Sequence, residues 1–566
     1  MPSHSISCRA LLLMTAILLL VTTAAQSQDA SQTSSPGNTY RIAGMAISAV
    51  DGHPLARARI TVRDAKDARK FESLVTSEDG RFQFISVPAG KYSLTGAKRG
   101  FIAASYDQHE QFSTAIVTGA GLDTESLVLR LAPTAIISGK VFDESGEPVR
   151  RATVTVYFDD HSSGVEQIRQ THVTQTDDLG AYEITPLTPG TYFLSASGKP
   201  WYAIHPTSNR SSLIPTSKSS ETANSNSADA ANFDRSLDVA YPLTYYADVT
   251  DAESATPIPI RGGERLQVEI HLNPVPSLHL LFRVANHGNR GDIFPRLEQP
   301  AFDSSTFLQN DGTRTVAPGL VEVTGVPAGR YNVRFYGAGP GLQMSGVDLT
   351  KDGEEIDTSA AEAMSTVKIS VQVSGENSIP PQLTLGLRSM HRAMAGVQQV
   401  SAKGEAEFAQ VAPGKYEVLC WGPPRTYSIA HISAEGAEVS GQSLTVPAGA
   451  TPSVSLTLVG GSLNVEGTAR RAGKPFAGAM VVLVPKNPEE NPGLFRRDQS
   501  DLDGTFSLRN VVPGPYTVLA IENGWELNWS QPAVIAAYLG HGRAIQVGNP
   551  VGRTMNLSED VEVQSK

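Results

Sequence analysis

Gly80-Arg81-Phe82-Gln83-Phe84-Ile85-Ser86-Val87-Pro88-Ala89-Gly90-Lys91-Tyr92-Ser93-Leu94 is the stretch from which the rest of the chain can be read. Phe82 and Phe84 alternate with polar neighbours, the period of a strand with one buried face. Pro88 and Gly90 supply turn chemistry, and Tyr92 and Leu94 again share a face. The same register recurs from Gly180, Gly319, Gly404 and Gly504. A second glycine stands ten residues on (Gly190, Gly329, Gly414, Gly514), and a tyrosine twelve on (Tyr192, Tyr331, Tyr416, Tyr516). A proline lies just before or two before that second glycine in each copy: Pro88, Pro189, Pro327, Pro413 and Pro513. Five copies in one register make an internal repeat, and strand, Pro/Gly turn and strand predict a β-hairpin in each.

Upstream, three copies carry Gly52-x-Pro54, Gly146-x-Pro148 and Gly473-x-Pro475, followed by Ala58, Ala152 or Ala479 and then alternating Ile60/Val62, Val154/Val156 and Val481/Leu483. This reads as another hairpin, with the small alanine where the chain enters a packed face. Downstream come closing strands such as Leu127-Val128-Leu129-Arg130-Leu131, and the alternation Leu266, Val268, Ile270 and Leu272 in copy two. Six or seven short strands per unit is the pattern of a β-sandwich. The predicted fold is all-β, a tandem array of about five Ig-like or transthyretin-like β-sandwich domains after a signal peptide. The expected boundaries are 1–25 signal peptide, 26–39 linker, and sandwiches at 40–133, 134–276, 277–362, 363–460 and 461–566.

With these residues in hand, the chain resembles the carboxypeptidase regulatory-like domain: Gly-x-Pro, then Ala with hydrophobic alternation, then Gly-x-Phe and Pro-x-Gly-x-Tyr. Copies one, two and five match over most of their length, although copy two has Tyr182 in place of Phe and only copies one and three space the turn as Pro-x-Gly. Copies three and four lack Gly-x-Pro, which places their first strands around Leu280-Leu281-Phe282 and Val367-Lys368-Ile369. The resemblance implies a transthyretin-like seven-stranded sandwich of the kind found, often in tandem, in secreted bacterial proteins. In the peptidases that name the family it accompanies a separate zinc-dependent catalytic domain, and in some exported proteins it precedes an outer-membrane barrel. Neither fits inside this chain.

Composition bounds the setting. The 566 residues are 40% hydrophobic and 18% charged, which excludes disorder for most of the chain and exceeds what one core organises. A formal net charge of −11 opposes non-specific binding to nucleic acid or anionic membrane. Arg9, the apolar run Leu11–Val21 and the small residues Thr22 to Ala25 have the layout of a cleavable secretory signal; an uncleaved signal anchor is the alternative. No later apolar run is long enough to span a bilayer. Export predicts a secreted, periplasmic or outer-envelope protein. Cys8 lies in the leader, so a mature chain holds the single thiol Cys420 and no internal disulfide.

Catalytic motifs are missing. No histidine has Glu three residues on, and neither a His-Glu-x-x-His helix, a Gly-x-Ser-x-Gly elbow nor a phosphate-binding loop is present. Cys420, at the end of a strand with no histidine near it in sequence, reads as a buried, inert thiol. No catalytic residue, metal ligand or cofactor is predicted. Asp498, Asp501 and Asp503 gather three carboxylates before Gly504, as calcium loops do, but turn-forming residues explain them more simply. Trp201 and Trp525 each follow the repeat tyrosine by nine residues, where copy one has Phe101, and so read as packing residues; Trp421 and Trp529 are left open. Trp525 and Trp529, with Asn523 and Asn528, are the candidate ligand-binding residues, since an indole face suits the C–H face of a sugar. A Ser-rich insert, about 206–236, reads as a mobile loop. The functional expectation is a secreted, non-enzymatic array binding an envelope protein or glycan, or serving as a structural module. Carbohydrate binding through exposed aromatics is one alternative, and a hydrolase built from unrecognised residues another.

Overall fold

In the computed structural model the described residues are 38–119, 121–206, 234–283, 294–308, 312–317, 319–336, 341–374, 378–389, 394–422, 427–460, 463–548 and 554–566. The leader and almost all of the linker and of the Ser-rich insert lie outside them. Five two-layer β-sandwiches follow one another, all built on one plan. In each, the first strand is flanked by the strand of the repeat, antiparallel, and by a closing strand, parallel. Tyr40–Ser48 lies between Arg81–Val87 and Leu127–Leu131; Ala135–Phe142 between Ala181–Leu187 and Arg265–His271; Val275–Arg283 between Leu320–Pro327 and Glu355–Asp357. Ser365–Ser374 lies between Glu405–Val411 and Ser453–Gly460, and Leu463–Arg471 between Thr505–Val511 and Thr554–Asn556. The first strands of copies three and four fall where their apolar residues place them. In the fifth sandwich Val561–Ser565 pairs with both layers and joins them. Each sandwich has its own apolar cluster between the layers, such as Ile42, Phe84, Leu94 and Leu129 in the first.

The repeat segment differs from the expected hairpin. Arg81–Val87 pairs with Tyr40–Ser48, whereas Gly90–Ala97 pairs with Arg59–Asp64 in the opposite layer, and the other four copies do the same. The Pro/Gly turn is therefore an arch between layers. A strand with one apolar face has the same alternation whether its successor lies beside it or across the core, so periodicity alone fits both. The arch starts six residues past the first glycine, where Ser86, Gly325, Gln410 and Asn510 take left-handed φ of 63°, 74°, 56° and 59°. The ladder slips there, as at a β-bulge, which turns the chain out of its sheet.

The five tyrosines share one environment. All are buried, and each hydroxyl donates to the carbonyl four residues back, across the arch: Tyr92 to Pro88 at 3.1 Å, Tyr192 to Thr188 at 2.8 Å, Tyr331 to Pro327 at 2.8 Å, Tyr416 to Ala412 at 2.7 Å and Tyr516 to Val512 at 2.9 Å. Burial pushes every one of these hydroxyls above the ordinary tyrosine range. In Gly90, Gly329 and Gly514 a Cβ would touch the tyrosine ring at 3.4, 3.4 and 3.5 Å, so the ring lies directly on the bare turn.

The second expected hairpin is also a change of layer. After Gly-x-Pro only an isolated bridge forms (Ile47 to Pro54, Phe142 to Pro148) or the two-residue strand Lys474–Pro475, before the chain crosses. Ala58, Ala152 and Ala479 are fully buried at the crossing, as their size implies. In these three copies a buried hydroxyl four residues before the origin glycine clamps the crossing. Thr76 accepts from Ala58 N (2.8 Å) and donates to Leu55 O (2.6 Å), Thr176 does so with Ala152 and Val149, and Ser500 with Ala479 and Phe476. Among the described residues one α-helix, Pro532–Leu539, interrupts the all-β pattern, with Pro at its first turn and Ile535 buried.

Candidate functional site at the closure of the array

The fifth sandwich folds back onto the first two, and a buried arginine marks the junction. Arg497 lies on the edge strand Arg496–Gln499, the counterpart of Phe71–Val75 in the first sandwich. Its side chain is 2% exposed. The guanidinium grips Glu110 of the first sandwich with two hydrogen bonds, at 3.2 and 2.5 Å, and donates to the Ser162 carbonyl of the second at 2.9 Å. It lies over three rings, 4.3 Å from Trp529, 5.1 Å from Phe112 and 5.6 Å from Trp525. A planar cation with five donors suits such a three-sided site better than an ammonium would.

Polar contacts surround this clamp. Gln499 donates to the Asp107 carbonyl (2.6 Å) and to Thr114 Oγ1 (2.8 Å), and its Oε1 meets His109 Nδ1 at 3.2 Å. The His109 ring stacks on Trp525 at 4.8 Å and 7°. Asp501 accepts from Ala115 N at 2.9 Å, and the apolar side chain of Leu502 joins the core of the first sandwich. Towards the second sandwich, Ser530 N donates to Gly164 O at 3.0 Å, and Asn528 Oδ1 meets His161 Nδ1 at 3.2 Å. Gly164, at φ 78°, has to lack a side chain: a Cβ would meet Trp529 and Ser530 at 2.6 Å.

The expected ligand-binding group divides here. Trp525 and Trp529 are 8% and 9% exposed and fill the cluster behind Met480–Pro485, so neither indole offers a free face to a sugar. Asn528 is taken up by the closure, and Asn523 is an exposed residue at φ 54° before the turn that carries Trp525. The shared register of Trp201 and Trp525 does not give a shared environment, because Trp201 is 83% exposed. Two of the three carboxylates before Gly504, Asp501 and Asp503, gather at a cation, but it is Lys91 of the first sandwich. Its Nζ lies 2.7 Å from Asp501 and 3.8 Å from Asp503, and also donates to Thr505. Burial raises Asp501, against the pull of Lys91, and it pushes Asp498 up to about 6, against the Ser507 N–H that donates to it. Cys420 donates to Tyr427 O at 3.1 Å, and burial pushes its thiol up to about 11, far from the reactive range. Among the described residues no group of three His, Cys, Asp or Glu could hold a metal ion, and no helix is long and apolar enough to cross a membrane.

Sequence reasoning missed Arg497 and Glu110 as a pair. The one available signal was that the Arg496–Gln499 strand carries two arginines where the first sandwich has Phe71-Glu72-Ser73.

Comparison with known proteins agrees with the repeat plan. The family model of the carboxypeptidase regulatory-like domain matches residues 41–122 and 136–204. No curated protein matches the chain. Among solved structures, the Bacillus anthracis TIE protein is 11% identical over 75% of this chain and 74% of its own, with a TM-score of 0.17. The minor pilin GBS52 of Streptococcus agalactiae is 14% identical over 42% and 97%, TM-score 0.20. BcpA, the major pilin subunit of Bacillus cereus, is 9% identical over 93% and 99%, TM-score 0.14. Residues 41–122 and 136–204 thus match the carboxypeptidase regulatory-like domain in tandem, at the head of an all-β array of sandwiches.

Proposed function

We propose that the chain is a non-enzymatic scaffold of β-sandwiches, exported by the leader at 1–25 and acting as a binding or structural module at the cell envelope. The observation that carries this reading is the closure itself. Arg497, Glu110 and Ser162 come from three different sandwiches and spend a buried guanidinium on holding shape. The matched family is a regulatory and accessory domain, which fits a role in positioning.

Apolar side chains left on outer sheet edges supply contact area: Phe71 and Val75 on the first sandwich, Met394 and Val397 on the fourth, each at least 45% exposed. Photo-crosslinkers placed at Phe71 and Met394 in cells should capture an envelope protein, and a chain that captures nothing at either position counts against the proposal.

A glycan-binding reading rests on Trp421. Its ring lies against Gly386, where a Cβ would be 2.6 Å away, and the residue is 44% exposed. A glycan array without signal, together with unchanged tryptophan emission, removes that reading.

A further inference from the structure

A cavity of about 790 Å³ opens between the second and third sandwiches. Its inner wall is aromatic, and the third sandwich completes it by pushing one side chain against the second. The strands Phe294–Ala301 and Ser304–Phe307 are joined by the two-residue turn Phe302-Asp303, where Phe302 takes a left-handed φ of 52°. A bulky side chain is unusual at that angle. Here its ring lies edge-on to Tyr245 at 5.4 Å and packs on Phe193 at 5.0 Å, while Asp303 Oδ2 accepts from Ile168 N at 2.8 Å and fixes the tip. Ile168, Phe193, Tyr245 and Phe302 all line the cavity.

The rim is acidic. Asp251 and Glu253, at the turn Ala252–Ser254, line the opening and are exposed. Ser254 Oγ donates to Asp251 at 3.0 Å, and Glu253 has no partner among the described residues. Arg330, the single cation among the described lining residues, has its own carboxylate in Asp348 at 3.9 Å. Two further polar groups are unused. Tyr245 is 1% exposed, yet its hydroxyl finds no hydrogen-bond partner among the described residues. Buried hydroxyls nearly always have one, because an unmet donor has given up its water for nothing. Burial first, then Tyr157 and the charge of Asp251, push this hydroxyl above the ordinary tyrosine range, so it stays a donor. Gln299 lines the same cavity, and its side-chain amide has no partner among the described residues either.

We propose that this cavity binds an aromatic amine, a cation carried on a ring that bears a polar substituent. The ammonium sits at Asp251 and Glu253, where charge-assisted hydrogen bonds hold it. The ring packs among Ile168, Phe193 and Phe302. The substituent accepts from Tyr245, with the Gln299 amide beside it. The volume falls within the range of small-molecule sites and leaves room for a body larger than one ring. The assignment stands apart from both the closure and Trp421.

The test titrates the full chain with tyramine, phenethylamine and 4-hydroxyphenylacetate by calorimetry. Tyramine carries both the ammonium and the ring hydroxyl, and each of the others lacks one of them. Tyramine should bind, phenethylamine should bind about tenfold more weakly because it leaves Tyr245 bare, and the anion should not bind. Tyr245→Phe should bring the two amines to equal affinity, a comparison within one protein that a general loosening of the fold would not produce. Asp251→Asn combined with Glu253→Gln, both on the exposed rim, should weaken both amines about tenfold. Absence of tyramine binding, equal binding of the anion, equal affinity of the wild type for the two amines, a difference between them that survives Tyr245→Phe, or unchanged affinity in the rim variant overturns the proposal.

Discussion

Arg497→Met should open the array while each sandwich stays folded. The side chain being replaced is 2% exposed and its partner Glu110 21%, so the pair is shielded from water on the arginine side. Methionine keeps most of the apolar contact with Trp525, Trp529 and Phe112 but removes every hydrogen bond to Glu110 and to the Ser162 carbonyl. Removing one member of a buried pair costs about 3–5 kcal/mol. Glu110 sits in a loop that can turn towards water, which recovers part of this. A shift of about 3 kcal/mol remains, on the order of a hundredfold in the ratio of closed to open chains.

Small-angle scattering reads the change directly, as a larger radius of gyration and a longer pair-distance profile. Thermal unfolding of the first and second sandwiches should hold, since their own cores do not include Arg497. Arg497→Met combined with Glu110→Gln should be closer to wild type than Arg497→Met alone, because no charge is left stranded. Scattering profiles of Arg497→Met that superimpose on wild type, with a coupling between the two positions below about 0.5 kcal/mol, would refute the reasoning.

Three further outcomes follow from the repeat. Tyr331→Phe should destabilise the third sandwich by about 1–2 kcal/mol, since it strands the buried Pro327 carbonyl now bonded at 2.8 Å; calorimetry of the two chains measures it. Thr176→Val keeps the shape but leaves Ala152 N–H and Val149 C=O without their hydroxyl partner, for a loss of about 2–3 kcal/mol by denaturant unfolding that Thr176→Ser should largely restore. Asp498 has its folded pKa raised from 3.8 to about 6, so its charge opposes folding. The penalty is absent below pH 3.8, grows as pH rises to 6 and is constant above. Asp498→Asn should therefore match wild type near pH 4 and gain up to ~3 kcal/mol at pH 7, with urea midpoints across that range as the measure. A gain of equal size at every pH would contradict the assignment to charge burial.

What sequence could show was set by distance along the chain. The tyrosine register, the buried alanines and the first strands of the divergent third and fourth copies depend on residues within a dozen positions of each other, and all are legible. Whether the Gly80 to Leu94 segment folds as hairpin or arch depends on where the partner strands lie, and the alternation of Phe82, Phe84, Tyr92 and Leu94 is the same either way. The junction was out of reach because Arg497 and Glu110 are 387 residues apart. The same holds for the Asp501 cluster, whose counterion Lys91 is 410 residues upstream. Trp201 and Trp525 stand in one register yet end with opposite exposures, because only the fifth sandwich has a neighbour docked over that position.

That separation also fixes the order in which the molecule is completed. The first sandwich holds all of its core but Leu502 early in synthesis, whereas its His109–Phe112 bend waits for the fifth sandwich. Any product that stops short of the fifth sandwich presents Glu110 and Phe112 to solvent, so the seal doubles as a record that this sandwich has been made and docked.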